Sequence, residues 1–200
     1  MSYKPNDHYA RKAKEENFLA RSVYKLEEID QRFKIIFSDN YILDLGASPG
    51  SWTQYSSRKV GANGRVLSID LKAINVNYHN TVCVQGDIND LKVEDLITKY
   101  KIDRPFDAVI SDMAPNTTGS KFVDQCRSYD LCVVAFDNAQ RFLKPTGNFI
   151  CKIFEGEDAM PFRDELKKHF KEVHILRPKS TQSSSKEIFL IAKGFLKPNI

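Results

Sequence analysis

Acidic residues follow several short apolar runs of this chain, and a lysine interrupts another. Asp70, Asp87 and Asp112 each stand at or just after the end of such a run, and Lys152 lies inside the run 148–154. A lysine buried in a strand must reach water, pair with a carboxylate or lose its charge. The carboxyl ends of parallel strands meet at one edge of an open sheet, where ligands bind. The three aspartates therefore predict a single crevice.

A glycine turn follows the first apolar run and is the segment around which the chain is organised. Residues 41–45 read as a buried strand and residues 46–50 as a tight turn, followed by the start of a helix. Gly46 and Gly50 allow a sharp turn and the close approach of a ligand, because neither carries a Cβ. Asp44 either orients this turn or meets a cationic group, and the alternative is a purely structural turn. The residues that predict a ligand site here are Asp44, Gly46, Ala47, Ser48, Pro49 and Gly50.

The spacing of the two glycines distinguishes between two nucleotide-type ligands. A dinucleotide fingerprint requires G-x-G-x-x-G, whereas this chain has Gly46-x-x-x-Gly50 with Pro49 inside the turn. That spacing suits the loop that S-adenosylmethionine-dependent methyltransferases wrap around the methionine and ribose of their cofactor. Asp70, about twenty residues beyond the turn, is then placed to accept both ribose hydroxyls, and Asp87 to bond the adenine amino group. The alternatives are a strand-end turn for Asp70 and a helix cap for Asp87.

The apolar pattern predicts an α/β fold in which strands alternate with helices. The strands are predicted at 41–45, 64–70, 81–85, 148–154, 172–176 and 186–193, and the segment 106–116 is predicted as a further strand with a Pro-Asn turn at its carboxyl end. Helices are predicted after the glycine turn, at 91–100, 124–143 and 157–170, and twice within 1–37, where Ser22 is the N-cap of the second. The chain shows no repeat or linker, so residues 1–200 are predicted to form one domain, on which the helical extension 1–37 packs.

The size and composition exclude several classes of protein. A chain of 200 residues with 42% hydrophobic and 28% charged residues is long enough for a proper core. The four cysteines show no C-x-x-C pairing, which predicts neither a disulfide framework nor a metal site and fits a reducing compartment. No run of apolar residues is long enough to span a membrane. The prediction is a cytoplasmic protein, or one of a mitochondrion or another organelle if a targeting segment is missing from the sequence.

The basic residues indicate a polyanionic partner. The net charge is +4, and from Met160 to the end nine Lys or Arg stand against four Asp or Glu. Lys25 stands between the apolar positions Tyr24 and Leu26, at a helix position directed toward the crevice. The candidate phosphate contacts, each of which is alternatively a solvated charge, are Arg11, Lys12, Lys14, Arg32, Lys34 and Lys179.

Five segments of the chain resemble one known family, the FtsJ/RrmJ ribose 2′-O-methyltransferases. These segments are 21–26, 44–52, 111–116, 151–156 and 185–189, and the resemblance runs in order from about His8 to Gly194. It implies a Rossmann-like class I methyltransferase with a mostly parallel seven-stranded sheet flanked by helices. It also implies S-adenosylmethionine as methyl donor and an RNA ribose as acceptor. The cofactor positions that it implies are Gly50, Trp52, Asp70, Asp87 and Asp112.

The resemblance also implies a catalytic set, because a Lys-Asp-Lys-Glu group surrounds the target hydroxyl in that family. The matching residues here are Lys25, Asp112, Lys152 and Glu187. The hydroxyl proton must leave as the methyl group transfers. We expect Lys152 to orient and deprotonate the hydroxyl, Asp112 to position Lys152, and Glu187 to anchor the set. Lys25 is expected to place the ribose or to stabilise negative charge on its oxygen.

The resemblance favours one substrate over two alternatives. Met113-Ala-Pro-Asn and the closing segment 185–194 look closer to the ribosomal members, which implies a ribose of large-subunit ribosomal RNA, a uridine in particular. Ser51 departs from the second glycine that ribosomal members often carry and also occurs in relatives that act on tRNA. The alternatives are therefore a tRNA anticodon-loop 2′-O-methyltransferase and a non-catalytic RNA-binding module of ribosome assembly. A monomer is expected.

Overall fold

Seven β-strands form one sheet in the order β3-β2-β1-β4-β5-β7-β6, in a computed structural model that describes residues 8–196. The strands are β1 (Tyr41–Leu45), β2 (Arg65–Asp70), β3 (Thr81–Gln85), β4 (Phe106–Ser111), β5 (Leu143–Phe154), β6 (Phe170–Leu176) and β7 (Glu187–Phe195). β7 runs antiparallel to both of its neighbours, and the other pairs are parallel. The predicted α/β class with a mostly parallel seven-stranded sheet is confirmed.

Helices cover both faces of the sheet. They are α1 (His8–Glu15), α2 (Val23–Phe33), α3 (Ser51–Val60), α4 (Val93–Lys99), α5 (Lys121–Phe142) and α6 (Ala159–Leu166). Buried residues of α1, α2 and α3 share one apolar cluster, and those of α4, α5 and α6 share the other. Strands covered on both faces read as continuous apolar runs, which is why their positions follow from the sequence. β1 divides its side chains accordingly: Ile42 packs on the first side, Leu43 and Leu45 on the second.

The start of α5 differs from the sequence prediction. The helix begins at Lys121 instead of Asp124, because Asp124 is buried and accepts hydrogen bonds from the loop before the helix. Its Oδ1 accepts from the amide and hydroxyl of Thr118, at 2.7 and 2.9 Å, and its Oδ2 from the amide of Gly119 at 3.3 Å. Asp124 lies inside the first turn of α5 and holds the loop before the helix, although in the sequence it looks like the first residue of the helix.

The start of β5 also differs from the sequence prediction, because β5 pairs with β4 directly after α5 ends at Phe142. β5 begins at Leu143 instead of Asn148, and its register with β4 jumps from Phe106–Leu143 to Ala108–Asn148. The residues between these two pairs form a bulge. A bulge adds residues to one strand without extending its partner, and the turn-type residues 145–147 occupy this one.

Ser22 precedes α2 as predicted, but its hydroxyl does not cap the helix. It forms a hydrogen bond with the hydroxyl of Ser51, 2.8 Å away. The four cysteines are free thiols; Cys132 and Cys151 are buried, while Cys83 and Cys126 are half-buried. No helix within residues 8–196 is long and apolar enough to cross a membrane. The division of the chain into one domain, 1–200, with an N-terminal extension stays a prediction.

Candidate active site

The turn between β1 and α3 lies against the end of β4, and its backbone requires glycine at two positions. Gly46 has a φ of +75°, and a Cβ on it would lie 2.6 to 2.8 Å from atoms of Met113. Gly50 has a φ of +120°, and its Cβ would lie 2.4 Å from a methyl group of Val76. Larger residues would be strained in backbone and would collide with neighbours at both positions. The close approach of Gly46 and Met113 brings the predicted turn to the gap between β1 and β4, where the order of the strands reverses.

Asp44 lies beneath this turn and is fully buried. Its Oδ2 accepts a hydrogen bond from Thr53 at 2.7 Å, and the Thr53 hydroxyl lies 2.9 Å from that of Ser68. Its Oδ1 is buried without a hydrogen-bond partner within residues 8–196. Burial raises the pKa of Asp44 to about 7; the Thr53 hydrogen bond opposes this rise, and the neighbouring carboxylates Asp112 and Asp70 add to it. The site therefore offers an unpaired carboxyl oxygen where a cation would be favoured.

Asp70 and Asp87 stand at the ends of β2 and β3, as predicted, and each is half-buried. The Asp70 carboxylate accepts the amides of Ser48 at 2.9 Å and Lys72 at 2.7 Å, so it fixes the glycine turn to the end of β2. Asp87 accepts the amide of Asn89 at 2.9 Å and does not serve as the cap of α4, whose N-cap residue is Lys92. A carboxylate has about four acceptor positions. Both groups therefore keep capacity for the hydroxyl and amino groups of a ligand.

Three predicted residues come to one side of the carboxyl edge because strand side chains alternate with period two. The core residues two positions away from them on the α1–α3 side are Ile110, Ile150 and Phe189. Asp112, Lys152 and Glu187 therefore project to that side, at the ends of β4 and β5 and the start of β7. Lys152 and Glu187 are 7% and 8% exposed. Buried charges at this density require partners of opposite sign.

Two ion pairs satisfy these charges. The Lys152 ammonium lies 2.9 Å from Oδ1 of Asp112 and donates a hydrogen bond to the Asp112 main-chain carbonyl at 2.7 Å. The Lys25 ammonium, from α2, lies 2.5 Å from Oε1 of Glu187. Phe189 pairs with Lys152 across the ladder, and the Lys25 ammonium lies 5.9 Å from the centre of its ring. The four residues predicted to form a catalytic set thus form two adjacent pairs at one strand edge.

Hydrogen bonds that the sequence did not predict hold α2 against the glycine turn. Ser22 bonds to Ser51 through its hydroxyl, and its carbonyl accepts the indole N–H of Trp52 at 2.8 Å. Trp52 is 2% exposed and lies 5.8 Å from Phe189, ring centre to ring centre. The indole is therefore packed beneath the site and positions Lys25 relative to the turn. No pattern in the sequence indicated that Ser22 and Ser51 bond to each other.

The candidate phosphate contacts on α1 are partly neutralised. Arg11 and Lys12 form ion pairs with Glu15 at 3.6 Å and Glu16 at 3.7 Å, one helical turn away. Lys14 is exposed. Exposed pairs of this kind contribute little to stability and can exchange partners, so these residues stay predictions.

Lys179 lies in a loop that is attached to α2. Its amide donates to Oε2 of Glu28 at 2.8 Å, and the guanidinium of Arg21 donates to the carbonyl of Ser180 in the same loop. The side chain of Lys179 itself is exposed. This candidate contact is thus held in position through its backbone while its ammonium group faces solvent.

Arg32 and Lys34 lie away from the carboxyl edge. The carbonyl of Ile35, which follows them, accepts a hydrogen bond from Asn148 at 3.5 Å, and Asn148 pairs with Ala108 near the start of β4. Four residues of strand separate that level from Lys152, about 13 Å at 3.3 Å per residue. These two residues are exposed but are not part of the cluster at the predicted crevice.

The sheet order and the position of the glycine turn at the gap between β1 and β4 define a Rossmann-like methyltransferase fold. Acidic side chains follow the ends of β2, β3 and β4 in the same crevice. The sequence model of FtsJ-like methyltransferases matches residues 18–195. The chain belongs to this family and is a methyltransferase.

Relatives agree over nearly the whole chain. The Ribosomal RNA large subunit methyltransferase E of Bdellovibrio bacteriovorus is 53% identical over 191 residues, covering 96% of this chain and 97% of that protein. The protein of the same name from Desulfatibacillum aliphaticivorans is 46% identical over 92% of this chain and 88% of its own length. A crystal structure of a ribosomal RNA methyltransferase from Plasmodium falciparum superposes with a TM-score of 0.79 at 29% identity, over 90% of this chain and 100% of that one.

Replacing Asp44 with Asn tests the buried carboxyl. Its folded-state pKa of about 7 exceeds its ordinary value of 3.8, so its contribution to stability is fully present below pH 3.8 and is lost as the pH rises through 7. Relative to wild type, the free energy of unfolding of Asp44→Asn should rise by about 1.4 kcal/mol per pH unit between about pH 5 and 7 and then level off. Urea denaturation across this range measures the difference. The exposed Asp39→Asn is the control, and a constant Asp44→Asn difference would contradict the prediction.

Removing one member of the Lys25–Glu187 pair tests whether the two buried charges depend on each other. Lys25→Met leaves Glu187 unpaired and should lower the free energy of unfolding by about 3 kcal/mol. Adding Glu187→Gln should recover most of that loss, because no buried charge then lacks a partner. The exposed Arg11 provides the control, since Arg11→Met should cost less than about 1 kcal/mol. Urea denaturation of wild type, Lys25→Met, Glu187→Gln, the double variant and the Arg11→Met control decides, and additive losses in the double variant would refute the coupling.

Proposed function

We propose that this protein transfers a methyl group from S-adenosylmethionine to a ribose 2′-hydroxyl of large-subunit ribosomal RNA, a uridine in particular. The observation that carries the proposal is the pair of buried ion pairs, Lys152–Asp112 and Lys25–Glu187, beside the glycine turn. The names of relatives that are 53% and 46% identical over almost their full length support the choice of RNA.

The carboxylates and the glycine turn of the crevice suit the proposed cofactor. Asp44 supplies a buried, unpaired carboxyl oxygen, and Asp70 and Asp112 add negative charge beside it, which favours a cationic ligand. The glycine turn, residues 46–50, allows the close approach of the methionine part of the cofactor, and Asp70 and Asp87 are proposed to hold its ribose and adenine. When bound, S-adenosylmethionine supplies a methyl group that leaves a positively charged sulfur with the bonding electrons staying on sulfur.

Lys152 is proposed to act on the ribose hydroxyl. The ribose oxygen forms the new bond to the methyl carbon, and its proton passes to the Lys152 nitrogen. An ammonium group has no lone pair, so Lys152 must be neutral when it accepts that proton. Asp112 contacts Lys152 twice, through Oδ1 at 2.9 Å and through its carbonyl at 2.7 Å. These contacts support a role for Asp112 in aiming the lysine nitrogen.

Lys25 and Glu187 are proposed to place the ribose. Glu187 lies diagonally across the β5–β7 ladder from Lys152, because Lys152 pairs with Phe189. Diagonal neighbours are about 7–8 Å apart, a gap that matches a sugar bound between the two pairs. Lys25 then stands where negative charge develops on the oxygen, and a cation fixed in advance by Glu187 needs no reorganisation during the reaction.

RNA is the proposed partner, in contact with the carboxyl edge of the sheet. Of the predicted phosphate contacts, Lys14, Lys34 and Lys179 are exposed lysines with no ion-pair partner among residues 8–196, and Lys34 lies away from the carboxyl edge. A cytoplasmic location and a monomeric state are proposed with it. The four free thiols favour a reducing compartment.

Replacing Lys152 with alanine and with arginine distinguishes a role in proton transfer from a role of its positive charge. Lys152→Ala should lower the rate of methyl transfer at least about 100-fold, the lower end of what a general base contributes, while binding of S-adenosylmethionine persists. Lys152→Arg keeps the positive charge but cannot be deprotonated, so it should be as slow as the alanine variant. Single-turnover rates with labelled cofactor and calorimetric cofactor binding provide the comparison. Near-wild-type transfer by Lys152→Arg would limit Lys152 to orientation and charge.

Methyl transfer to defined RNA pools tests the substrate. The protein is incubated with radiolabelled S-adenosylmethionine and, separately, with unmethylated large ribosomal subunits, free ribosomal RNA and tRNA. Label is expected in the large subunit or its RNA, on one ribose that nuclease mapping locates. The Lys152→Ala protein is the matched control.

Each other outcome moves the function elsewhere. Label in tRNA alone would assign the enzyme to the tRNA anticodon loop. Silence in every pool with cofactor binding intact would contradict the proposed activity and leave the non-catalytic RNA-binding role.

A further inference from the structure

One stripe of aromatic residues on α5 ends outside the core. Phe122, Tyr129 and Phe136 are spaced seven residues apart and so lie on one side of the helix. Tyr129 and Phe136 contact Phe162 of α6, with ring centres 5.7 and 6.1 Å apart. Phe122 continues the stripe two turns beyond Tyr129 and is 71% exposed, the largest exposed fraction among the large apolar side chains of residues 8–196.

Phe122 is exposed because α6, which covers the rest of the stripe, does not extend as far as Phe122. α6 starts at Ala159, and before it the chain consists of the segment that leaves β5. Gln125, three residues after Phe122, donates to the carbonyl of Glu155 at 2.6 Å and fills the space where a Cβ of Gly156 would lie. Phe122 therefore stands one turn above that segment.

The other contacts of α5 with β5 relate Phe122 to the candidate active site. Cys132 donates to the carbonyl of Lys152 at 3.0 Å, and Ser128 accepts the amide of Phe154 at 2.9 Å. Each turn of α5 toward its start thus lies further along β5, past Lys152 and out to the crevice. Ten residues separate Cys132 from Phe122, about 15 Å of helix. Phe122 therefore lies beyond the carboxyl end of β5, past Lys152, at the edge of the sheet face opposite to the one on which the Lys152 side chain projects.

A basic residue accompanies this ring. Lys121 lies four residues before Gln125, on the side of α5 that faces β5, and it is exposed. No carboxylate within residues 8–196 forms an ion pair with it. In the segment below, Glu155 is paired with Arg177 at 3.3 Å. An exposed aromatic ring next to a cation is the combination that binds single-stranded nucleic acid, through base stacking and phosphate contact.

The ring is held on a fixed support. Asp124 binds the loop before α5 through Thr118 and Gly119, and the guanidinium of Arg127 donates to the carbonyl of Asn116 at 3.3 Å. This loop continues directly from Asp112. These hydrogen bonds fix the position of Phe122 relative to the candidate catalytic residues. A base could therefore stack on its ring without the cost of first ordering the loop.

We propose that Phe122 is the stacking platform for an unpaired base that neighbours the methylated nucleotide, with Lys121 on the adjoining phosphate. The inference rests on the proposed function, since it assumes that RNA crosses the carboxyl edge. It extends that function by naming the form of the substrate. The RNA is single-stranded on the side of the target ribose that passes over the end of β5.

Substitutions at position 122 separate stacking from simple apolar contact. Phe122→Ala and Phe122→Leu should raise KM for the RNA about fivefold or more with kcat unchanged, and Phe122→Trp should keep the wild-type KM. The slope of log affinity against log salt should stay unchanged in these variants but fall by about one in Lys121→Ala, because only the lysine neutralises a phosphate. Phe37→Ala, on a ring 54% exposed before β1 at the opposite edge, is the matched control. Phe122→Trp also adds an exposed indole to the single, buried Trp52.

Fluorescence of that added indole should be quenched when a short single-stranded RNA binds, and not when a duplex of the same sequence is added. Unchanged KM in Phe122→Ala, or a KM in Phe122→Leu equal to wild type, would overturn the platform. If the wild-type protein transfers no methyl group to any RNA, the proposed function fails. The quenching titration then decides the platform by itself, and a tryptophan signal that RNA leaves unchanged would refute it.

Discussion

A charge inside a sheet that is covered on both faces must have a partner of opposite sign, and this constraint shapes the carboxyl edge of the molecule. Removing one member of a buried pair leaves an uncompensated charge, at a cost of several kcal/mol. Lys152 is 7% exposed and meets Asp112, whereas Glu187 is 8% exposed and receives Lys25 from a helix. The strands alone supply Asp112, Lys152 and Glu187, so α2 must dock against the sheet to complete the balance.

The docking of α2 explains several features that have no direct contact with the ion pairs. The Trp52 indole donates to the carbonyl of Ser22, and the Ser22 hydroxyl meets that of Ser51, so the start of α2 is bonded to the start of α3. The start of α3 is also the end of the glycine turn. The position of Lys25 and the shape of that turn therefore depend on the same hydrogen bonds. A substitution at Ser22 would therefore alter both the position of Lys25 and the shape of the glycine turn, although Ser22 belongs to neither.

The sequence predicted what depends on local pattern and missed what depends on distant partners. β1 has the predicted bounds because both of its faces are covered and its apolar run is continuous, and the half-buried strand β3 has them as well. The pattern predicts a helix start at Asp124 and misses the true start at Lys121, because the role of Asp124 as an acceptor for Thr118 and Gly119 arises only when the loop folds back. Ser22 was expected to cap α2, but Ser51, twenty-nine positions away, takes its hydroxyl. The face shared by Asp112, Lys152 and Glu187 follows from strand alternation, whereas the pairing of each carboxylate with a particular lysine depends on the tertiary contact with α2.

The carboxyl edge of the sheet has an acidic side and a side that holds two lysines. Asp44 and Asp70 lie at the ends of β1 and β2, and the two lysines lie beyond β4, on β5 and α2. Asp112 stands between the two groups: it adds to the raised pKa of Asp44 on one side and pairs with Lys152 on the other. A cation bound near Asp44 would lower the repulsion among the three carboxylates. Asp112 therefore links the acidic half of the crevice to the half that holds the two lysines.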